Sequence, residues 1–497
     1  MNVLHLSAEC APVVKVGGLA DVVGALPKAL AKHDVRASVL IPKYGSVAVR
    51  GAEVVYAGQA ALSGEAVPFT VLRATGHGFP LFLLDAPTHF GDAGVYQPAG
   101  GGGFGYPLGP DRFYLFQLAA LDWMRHLQKQ GRGFDLVHVH DNHTALVPAL
   151  LARSERWADL RDTAAVFTIH NAQHQGVDGE HAWERLGEDP ARYADLSWQG
   201  DLNAMRAALA TAQASTTVSP SYADELATRE DVGAGLQAAF AEAREQGRFG
   251  GILNGIDERV WNPEEDPYLP ATFDAEDLKG KGACKSDVCG ELGLDPSRPL
   301  AVYVGRLMHE KGVELLPAGI EALVKTRDAR VAVLGTGLPE HEETIQQLAD
   351  RLNPPPRESF GGPMVRRVAL ERRFDEALAH RLYAAADLFL MPSYVEPCGL
   401  GQLYAMRYGA VPVVRATGGL RDTVTPFDAE TGEGRGFRFE PYAPEAFAEA
   451  ALAGADAIAD KQQREQLRWN GMTADFSWER SAGEYAALYG AVLGRDA

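Results

Sequence analysis

Short runs of apolar residues recur along the chain, and most are followed by a polar or glycine-rich turn and then by a segment of helical periodicity. The clearest runs are residues 3–6, 37–41, 81–84, 135–139 and 164–169 in the first half, and residues 300–304, 331–334, 387–391 and 411–414 in the second half. Continuous apolar runs of this length are typical of parallel strands that are buried on both faces. Because strands alternate with helices in both halves, the pattern predicts an α/β protein with two doubly wound domains.

The boundary between the two predicted domains lies near the middle of the chain. A polar helical pattern over residues 234–248 is broken by Gly250 and Gly251. We therefore expect three segments: a first domain over residues 1–248, a second over residues 249–475, and a terminal helix over residues 476–497.

The stretch 391–424 contains two predicted strand ends, each of which passes through a glycine-rich turn into a helix. The first turn carries Glu396, with Cys398, Gly399 and Leu400 after it. In an open α/β sheet, ligands bind at the carboxyl ends of the strands, where helix N-termini present free N–H groups to anions. A carboxylate in such a turn suits a polyhydroxylated ligand that carries phosphates. The alternative is an ordinary strand-to-helix turn with a solvated glutamate.

Cationic residues stand near two other predicted strand ends. Arg306 and Lys311 follow the run 300–304, where a diphosphate would lie against the next helix N-terminus. Arginine offers phosphate oxygens a planar fork, and lysine offers them a point charge. Lys15 precedes the turn formed by Gly17 and Gly18, which lacks the spacing of a dinucleotide or Walker-type motif. The plainer interpretations are two surface cations and a tight turn.

Histidines cluster after two strands of the first half. His138, His140 and His143 have a spacing that suggests a metal site, but no cysteine or second carboxylate cluster completes a ligand shell. We therefore predict no metal site and favour a polar turn that contacts a hydroxylated ligand. His170 follows the run 164–169 in the same way, and it is either a ligand contact or a buried histidine with satisfied hydrogen bonds.

Composition limits the possible partners and the compartment. The chain has 497 residues and a formal net charge of −19, which argues against nucleic acid or an anionic membrane as a partner. The 4 cysteines are scattered without a C-x-x-C pair, which suggests a reducing compartment. Residues 1–6 do not form a signal peptide, and no apolar run approaches the roughly 18 residues of a membrane span. We expect a soluble, cytoplasmic protein.

Residues 91–111 form the one low-complexity stretch, with four consecutive glycines that are costly to order. Its aromatic residues Tyr96, Phe104 and Tyr106 are unusual in a linker. Tyr96 or Tyr106 is a candidate for stacking on a sugar ring, and a disordered insertion is the alternative.

With these residues in place, the chain resembles the bacterial glycogen synthase and plant starch synthase family nearly from end to end. The resemblance rests on the order and spacing of several motifs, none of which is decisive alone: K-x-G-G-L at Lys15–Leu19, H-D-x-H at His140–His143, F-T-x-H-N at Phe167–Asn171, L-N-G-x-D at Leu253–Asp257, R-L-x-x-x-K-G at Arg306–Gly312 and E-P-C-G-L at Glu396–Leu400. Thr417–Leu420 and Phe476–Trp478 also fit the family.

The resemblance implies the GT-B fold, in which two Rossmann-like domains face a central cleft. It implies a glycogen (starch) synthase that transfers glucose from ADP-glucose to the non-reducing end of an α-1,4-glucan with retention of the anomeric configuration. In this family the terminal helix returns to the first domain. ADP-glucose and glycogen or another α-1,4-glucan are therefore the expected partners, and no cofactor is expected.

The family also implies roles for individual residues. Arg306 and Lys311 would bind the diphosphate and stabilise the leaving group. Glu396 and the N–H groups after Cys398, at Gly399 and Leu400, would hold the sugar 3- and 4-hydroxyls.

The remaining implied roles concern the sugar and the adenine. Lys15, Gly17 and Gly18 would lie against the donor phosphates and sugar, and Asp21 and Asn254 near the glucosyl group. Asp141 would lie near the reacting centre, and His170 would contact the sugar 6-hydroxyl while its main-chain carbonyl faces the developing oxocarbenium. Phe374 stands where the family usually has an adenine-stacking tyrosine.

No Asp-x-Asp motif occurs, which agrees with a fold that needs no metal to hold the donor. A double displacement would need a carboxylate nucleophile, and the sequence places none convincingly. We therefore favour a front-face route in which the leaving phosphate helps to deprotonate the acceptor.

The chain departs from the family pattern at several positions. Asn142 replaces the usual tryptophan, Ala172-Gln173-His174 replaces a more apolar run, Gly401 replaces a common threonine, and the glycine-rich stretch replaces a more structured segment. These differences bear on acceptor preference and rate.

Two alternatives remain. One is another retaining GT-B transferase, such as a sucrose- or maltose-phosphate-forming enzyme; many of these carry a second glutamate where this chain has Tyr404. The other is a catalytically silent glucan-binding protein, which would be expected to lack the pair Arg306 and Lys311.

Overall fold

The computed structural model describes residues 1–48, 51–92, 94–96, 109–179, 181–354 and 365–495. The chain divides into two compact units. The first unit comprises Met1–Gly255 and Trp478–Ala497, and the second comprises Ile256–Ser477. Each unit has its own sheet, so the prediction of two α/β domains is confirmed.

The first unit is built on a mostly parallel sheet. Its strands are β1 (Asn2–Leu6), β2 (Arg36–Pro42), β3 (Glu53–Leu62), β4 (Glu65–Ala74), β5 (Leu81–Asp85), β6 (Leu136–His140), β7 (Ala164–Ile169), β8 (Val177–Asp178), β9 (Leu202–Asn203), β10 (Ala214–Thr217) and β11 (Phe249–Gly251). Within the described residues, the main sheet has the order β11-β10-β7-β6-β1-β2-β5-β4-β3, and β8 pairs with β9 separately. β3 and β4 are antiparallel and extend the sheet at one edge.

The helices of this unit connect the parallel strands. They are α1 (Gly18–Leu30), α2 (Pro87–Phe90), α3 (Asp111–Lys129), α4 (Val147–Arg153), α5 (Ala182–Arg185), α6 (Ala204–Thr211), α7 (Pro220–Thr228), α8 (Glu230–Gly233) and α9 (Gln237–Glu245). β6 and β7 are buried along their whole length. This burial explains why they appear in the sequence as continuous apolar runs.

The second unit contains a fully parallel sheet. Its strands are β12 (Leu300–Val304), β13 (Arg330–Leu334), β14 (Val368–Glu371), β15 (Leu388–Met391), β16 (Val411–Arg415) and β17 (Phe437–Phe439). In the part of the chain that the structure describes, their order is β14-β13-β12-β15-β16-β17. Its helices are α10 (Lys279–Leu292), α11 (Leu316–Arg327), α12 (Pro339–Leu352), α13 (Glu376–Ala385), α14 (Gly401–Arg407), α15 (Gly418–Thr423), α16 (Pro444–Ala459) and α17 (Lys461–Met472).

The sheet of the second unit is covered on both faces. One apolar cluster contains Val302 and Phe389, and the other contains Tyr303 and Leu390. Because successive residues of a strand point to opposite faces, each of the strands β12 to β16 supplies side chains to both clusters. The strand order reverses direction beside β12, and this is where ligands bind in doubly wound sheets.

The last helix, α18 (Trp478–Val492), belongs to the first unit. It packs against α1, and its buried residues Trp478, Tyr485 and Tyr489 join a cluster with Val22 and Leu26 of that helix. These aromatic residues of the terminal helix are therefore core residues. Among the described residues, no helix combines the length and apolar character needed to cross a membrane.

Candidate active site

Several of the predicted residues of the first unit follow three neighbouring strands. β7, β6 and β1 are adjacent and parallel, so their carboxyl ends lie along one edge of the sheet. Asp141 follows β6 directly, His170 follows β7 directly, and the segment that leads to Lys15 and Gly17 follows β1. We call these residues the first-unit group.

The Gly17–Gly18 turn is held by a carboxylate that the sequence did not single out. Glu9 is buried, and its Oε2 accepts hydrogen bonds from the N–H groups of Val16 (2.5 Å) and Gly17 (3.0 Å). The Tyr96 hydroxyl also donates a hydrogen bond to Glu9. Burial raises the pKa of Glu9 above its usual value, and these three hydrogen bonds oppose the rise. Glu9 therefore holds the turn in place through the N–H groups of Val16 and Gly17, while Gly17 and Gly18 remain exposed.

The turn brings two of the predicted residues into contact. α1 begins at Gly18, and Asp21 lies in its first turn, where a carboxylate interacts favourably with the helix dipole. Lys15 Nζ lies 2.8 Å from Asp21 Oδ1, and both side chains are partly exposed. The turn thus presents a cation, a carboxylate and two residues without side chains.

Asp141 occupies an uncommon backbone conformation immediately after β6. Its φ is +55°, in the left-handed region that non-glycine residues rarely adopt. Its Oδ1 accepts hydrogen bonds from the main-chain N–H groups of His170 (2.7 Å) and Asn171 (3.4 Å), which ties the end of β6 to the end of β7. Burial raises the pKa of the Asp141 carboxyl to about 7, although the two hydrogen bonds act in the opposite direction.

The histidines of this region assemble differently from the triad considered in the sequence. His5 joins His138 and His140 in a buried cluster in which one ring nitrogen of each residue lies within 4.8 Å of the others. Both nitrogens of His138 already have partners, the Tyr489 hydroxyl at 2.7 Å and the Thr168 hydroxyl at 2.6 Å. Hydrogen bonding therefore accounts for His138 without a metal ion.

His143 lies apart from that cluster and contacts aromatic residues. Its ring stacks on Tyr96 with a centroid distance of 4.9 Å and meets the edge of Phe113 at 4.6 Å. Tyr96 therefore packs against His143 and Glu9. Phe104 and Tyr106, the other aromatic residues of the glycine-rich stretch, lie outside the described residues.

Asn254 lies three residues after β11, near the end of the first unit. It is buried, and no hydrogen-bond partner of its Oδ1 is found in the described part of the chain. β11 is an edge strand of the main sheet, whereas the first-unit group follows its central strands. Asn254 is therefore set apart from Asp141 and His170 by its place in the sheet order.

In the second unit, a cation and a carboxylate from neighbouring strand ends form an ion pair. Lys311 follows β12 and Glu396 follows β15, and Lys311 Nζ lies 2.6 Å from Glu396 Oε2. The Ser393 hydroxyl donates a second hydrogen bond of 3.0 Å to the same oxygen. Glu396 is buried and Lys311 is partly exposed. We call Arg306, Lys311 and Glu396, together with the turn that follows Glu396, the second-unit group.

Arg306 completes the positive side of this group. Its side chain is 61% exposed and forms an ion pair with Glu310. Gly312, directly after Lys311, has a φ of +66°, and a Cβ there would lie 1.9 Å from the Pro392 carbonyl oxygen. Only glycine therefore lets the loop that carries Lys311 approach the loop that carries Glu396 so closely.

The turn after Glu396 is fixed by a buried amide. Cys398 is buried, and Gly399 has a φ of +74°. Gln402 Nε2 donates hydrogen bonds to the carbonyl oxygens of Cys398 (3.1 Å) and Gly399 (3.0 Å). Leu400 precedes α14, so the N–H groups of Gly399 and Leu400 lie at the entrance of that helix.

Phe374 lies three residues after β14. β14 is an edge strand of the second sheet, and β13 separates it from β12. It is 87% exposed, which is unusual for an aromatic side chain of this size. The ring face is thus open to a planar ligand group.

Comparison with known proteins identifies the family. Residues 2–242 match the model of the starch synthase catalytic domain, and residues 289–472 match glycosyl transferases group 1. A glycogen synthase from Anaeromyxobacter sp. (strain Fw109-5) is 42% identical over 495 residues, which cover 98% of this chain and 99% of that protein. A glycogen synthase from Flavobacterium johnsoniae is 37% identical over 99% of both chains.

The chain belongs to the glycogen and starch synthase family.

A solved structure supports this assignment. The catalytic domain of starch synthase IV from Arabidopsis thaliana, bound to ADP and acarbose, is 32% identical, covers 99% of both chains and has a TM-score of 0.87. A sucrose-phosphate synthase from Thermosynechococcus elongatus, 19% identical with a TM-score of 0.58, shares the fold. The chain is therefore a GT-B glycosyltransferase, and the predicted fold class and enzyme class are confirmed.

The sequence pattern did not point to some of the residues that organise the candidate site. His5 lies within the apolar run 3–6 and Glu9 follows it, so neither residue was singled out as a candidate. Gln402 looked like an ordinary helix residue. A buried polar residue beside a strand end is a signal that could have found Glu9, but its partners Val16, Gly17 and Tyr96 are known only from the fold.

Proposed function

We propose that this glycosyltransferase moves glucose from ADP-glucose to the non-reducing end of an α-1,4-glucan, with retention at the anomeric carbon. The observation that carries the proposal is the contact between Lys311 and Glu396 at neighbouring strand ends, and Arg306 follows the same strand as Lys311. One cationic and one anionic group at this place suit a ligand with both phosphates and hydroxyls. The ADP in the related plant structure supports the choice of nucleotide.

Arg306 and Lys311 are the proposed diphosphate ligands. In the structure each is paired with a carboxylate, Glu310 and Glu396 respectively. A bound diphosphate would compete for both cations, and its charge increases as the bond to the sugar breaks. The two cations therefore stabilise the transition state more than the ground state.

Glu396 and the turn after it are the proposed sugar ligands. Once a phosphate engages Lys311, Glu396 is free to accept hydrogen bonds from the glucose 3- and 4-hydroxyls. The N–H groups of Gly399 and Leu400, behind Cys398, would donate to the same hydroxyl oxygens. Gln402 already occupies the carbonyl groups of the turn, so the N–H groups keep their direction.

The first-unit group supplies the remaining proposed contacts. Lys15, Gly17 and Gly18 would lie against the donor phosphates and sugar, since the turn is exposed and carries no bulky side chain. Asp21 and Asn254 would contact the glucosyl group. We assign Asp141 to the reacting centre and His170 to the 6-hydroxyl.

We propose a front-face mechanism for the transfer. The bond between the anomeric carbon and the β-phosphate oxygen breaks, and the acceptor 4-hydroxyl oxygen bonds to the same face of that carbon. The acceptor proton passes to the leaving phosphate oxygen, so that ADP is released. The main-chain carbonyl of His170 faces the oxocarbenium, and no carboxylate nucleophile is required.

The test is release of ADP and of UDP by the purified protein with glycogen, with either ADP-glucose or UDP-glucose as donor and with EDTA present. We expect glycogen-dependent release of ADP that EDTA does not reduce. Release with UDP-glucose alone would change the donor but keep the reaction. Binding of glycogen without release from either donor would contradict the proposal and favour a silent glucan-binding protein.

Phe374 provides a separate test of the nucleotide site. We expect Phe374→Ala to raise the KM for ADP-glucose about tenfold with little change in kcat, because loss of base–aromatic stacking costs about 1–3 kcal/mol. Phe374→Tyr keeps the ring and should behave like the wild type. Trp469→Ala removes another exposed aromatic side chain of the same unit and serves as the control. A KM that Phe374→Ala leaves unchanged would remove the stacking role.

A further inference from the structure

A row of hydrogen-bonded histidines runs across the central strands of the first unit. His5 Nδ1 lies 3.1 Å from His140 Nε2, and His140 Nδ1 lies 3.1 Å from His170 Nε2. These residues belong to β1, to β6 and to the end of β7, which are adjacent in the sheet. His5 and His140 are fully buried, and His170 is partly exposed.

Burial favours the neutral form of all three rings. Burial lowers the pKa of His5 and of His170 to about 3, and it lowers the pKa of His140 well below its usual value. A neutral imidazole has one N–H group and one lone pair. In each hydrogen bond of the row, therefore, one ring donates and the other accepts. Because His140 bonds through both nitrogens, the whole row has a single direction.

Only two arrangements satisfy both hydrogen bonds. Either all three rings carry their proton on Nδ1, or all three carry it on Nε2. The two arrangements differ at His5, whose Nε2 is buried and has no hydrogen-bond partner among the described residues. With protons on Nε2, His5 would bury an N–H group without an acceptor, which is rare in native structures and costs its desolvation energy. With protons on Nδ1, the buried Nε2 of His5 carries only a lone pair, so His5 buries no N–H group without an acceptor.

We propose that His5 and His140 are positioning residues that hold His170 as the Nδ1–H tautomer and so make its Nδ1 a fixed hydrogen-bond donor. The Nδ1 atom has no partner among the residues that the structure describes, and His170 is only partly buried. This inference rests on the proposed contact of His170 with the glucose 6-hydroxyl, whose oxygen would accept the hydrogen bond. A donor whose proton is already placed needs no rearrangement when the sugar binds.

Neighbouring groups keep the row in place without setting its direction. The main-chain N–H of His140 donates to the Thr144 hydroxyl (2.8 Å), which fixes the backbone of the central ring. His138 lies beside the row, but its partners are the hydroxyl groups of Tyr489 and Thr168, which donate or accept equally well. The direction is therefore decided at His5.

The direct test is the tautomer of His170, measured from long-range proton–nitrogen NMR correlations of protein labelled with ¹⁵N at histidine. The His170 signal is assigned by its loss in His170→Asn. We expect Nδ1 to be protonated and Nε2 to be bare at pH 7.5, the reverse of the preference of a solvent-exposed histidine side chain. A His170 protonated on Nε2 would overturn the inference. Because no substrate is present, this result stands even if the protein fails to use ADP-glucose.

Substitution of the central ring tests its role. His140→Leu removes the donor to His170, and we expect mixed tautomers and a kcat about tenfold lower, with the KM within twofold. His140→Gln keeps a donor and an acceptor, so it should retain at least half of kcat. His181→Gln, an exposed position in the same unit, is the control. A folded His140→Leu protein with an unchanged His170 tautomer would contradict the positioning role of His140. If His140→Leu does not fold, His5→Gln tests the same row of hydrogen bonds.

Discussion

Lys311→Ala is expected to lower kcat for glucosyl transfer by about 10²–10³-fold, because removal of one group that stabilises developing charge usually has an effect of this size. The same change leaves Glu396 buried, with the Ser393 hydroxyl still donating a hydrogen bond to it. Removing one partner of a buried ion pair destabilises a protein by about 3–5 kcal/mol, and the partial exposure of Lys311 places the expected loss below that range. The measurements are steady-state kinetics and denaturant unfolding.

A double variant separates the two effects. In Lys311→Ala with Glu396→Gln, the buried charge is gone, so we expect stability to return while kcat stays low. Lys325→Ala removes a surface lysine that pairs with Glu321 in the same unit, and it should change neither quantity appreciably. Near-normal turnover by folded Lys311→Ala would remove the phosphate role of this residue.

Asp141→Asn is expected to stabilise the protein at pH 8 and to lower kcat about 100-fold. The raised pKa of Asp141, about 7, means that ionisation is costlier in the folded state than in the unfolded state. The stability that the protonated carboxyl provides is complete below about pH 4, the pKa of an unfolded aspartate, and is lost as the pH rises through about 7. A rise of about three units corresponds to at most about 4 kcal/mol at pH 8.

Asparagine has no charge to lose, and its carbonyl oxygen can still accept the hydrogen bond from the N–H of His170. The stability difference between Asp141→Asn and the wild type should therefore shrink as the pH falls from 8 to 5. If the ionised carboxylate is needed at the reacting centre, kcat/KM of the wild type should also rise with pH through about 7. Asp162→Asn, at an exposed position of the same unit, is the control. If Asp141→Asn and the wild type are equally stable at pH 8 and at pH 5, ionisation of Asp141 is no costlier in the folded state than in the unfolded state.

Parts of the fold were accessible from local pattern alone. The runs at 300–304 and 411–414 became β12 and β16 almost residue for residue, because parallel strands buried on both faces must be apolar throughout. The β3–β4 hairpin was missed, since most residues of β3 are exposed and its apolar residues do not alternate strictly with polar ones. Ser63 and Gly64, both with positive φ, form its tight turn, and a Ser-Gly pair between two segments rich in apolar residues was the available signal.

Residue types and their positions after strands identified the chemistry of the candidate site, but not the pairings within it. Lys311 and Glu396 are 85 residues apart in sequence, and their 2.6 Å contact exists because β12 and β15 are neighbours in the sheet. The spacing in the sequence suggested His143 as the third member of the histidine cluster. The structure instead places His5 there, because β1 pairs with β6 in register.

The sequence by itself determined the fold class, the family and the residue types at the strand ends, because these depend on periodicity and on motifs within short segments. Only the tertiary structure decided the protonation and pairing of those residues. Burial of Asp141, the direction of the histidine row and the support of the glycine turn by Glu9 all depend on atoms brought together from distant strands. Desolvation and hydrogen bonding are properties of that packed arrangement, and no local stretch of sequence contains them.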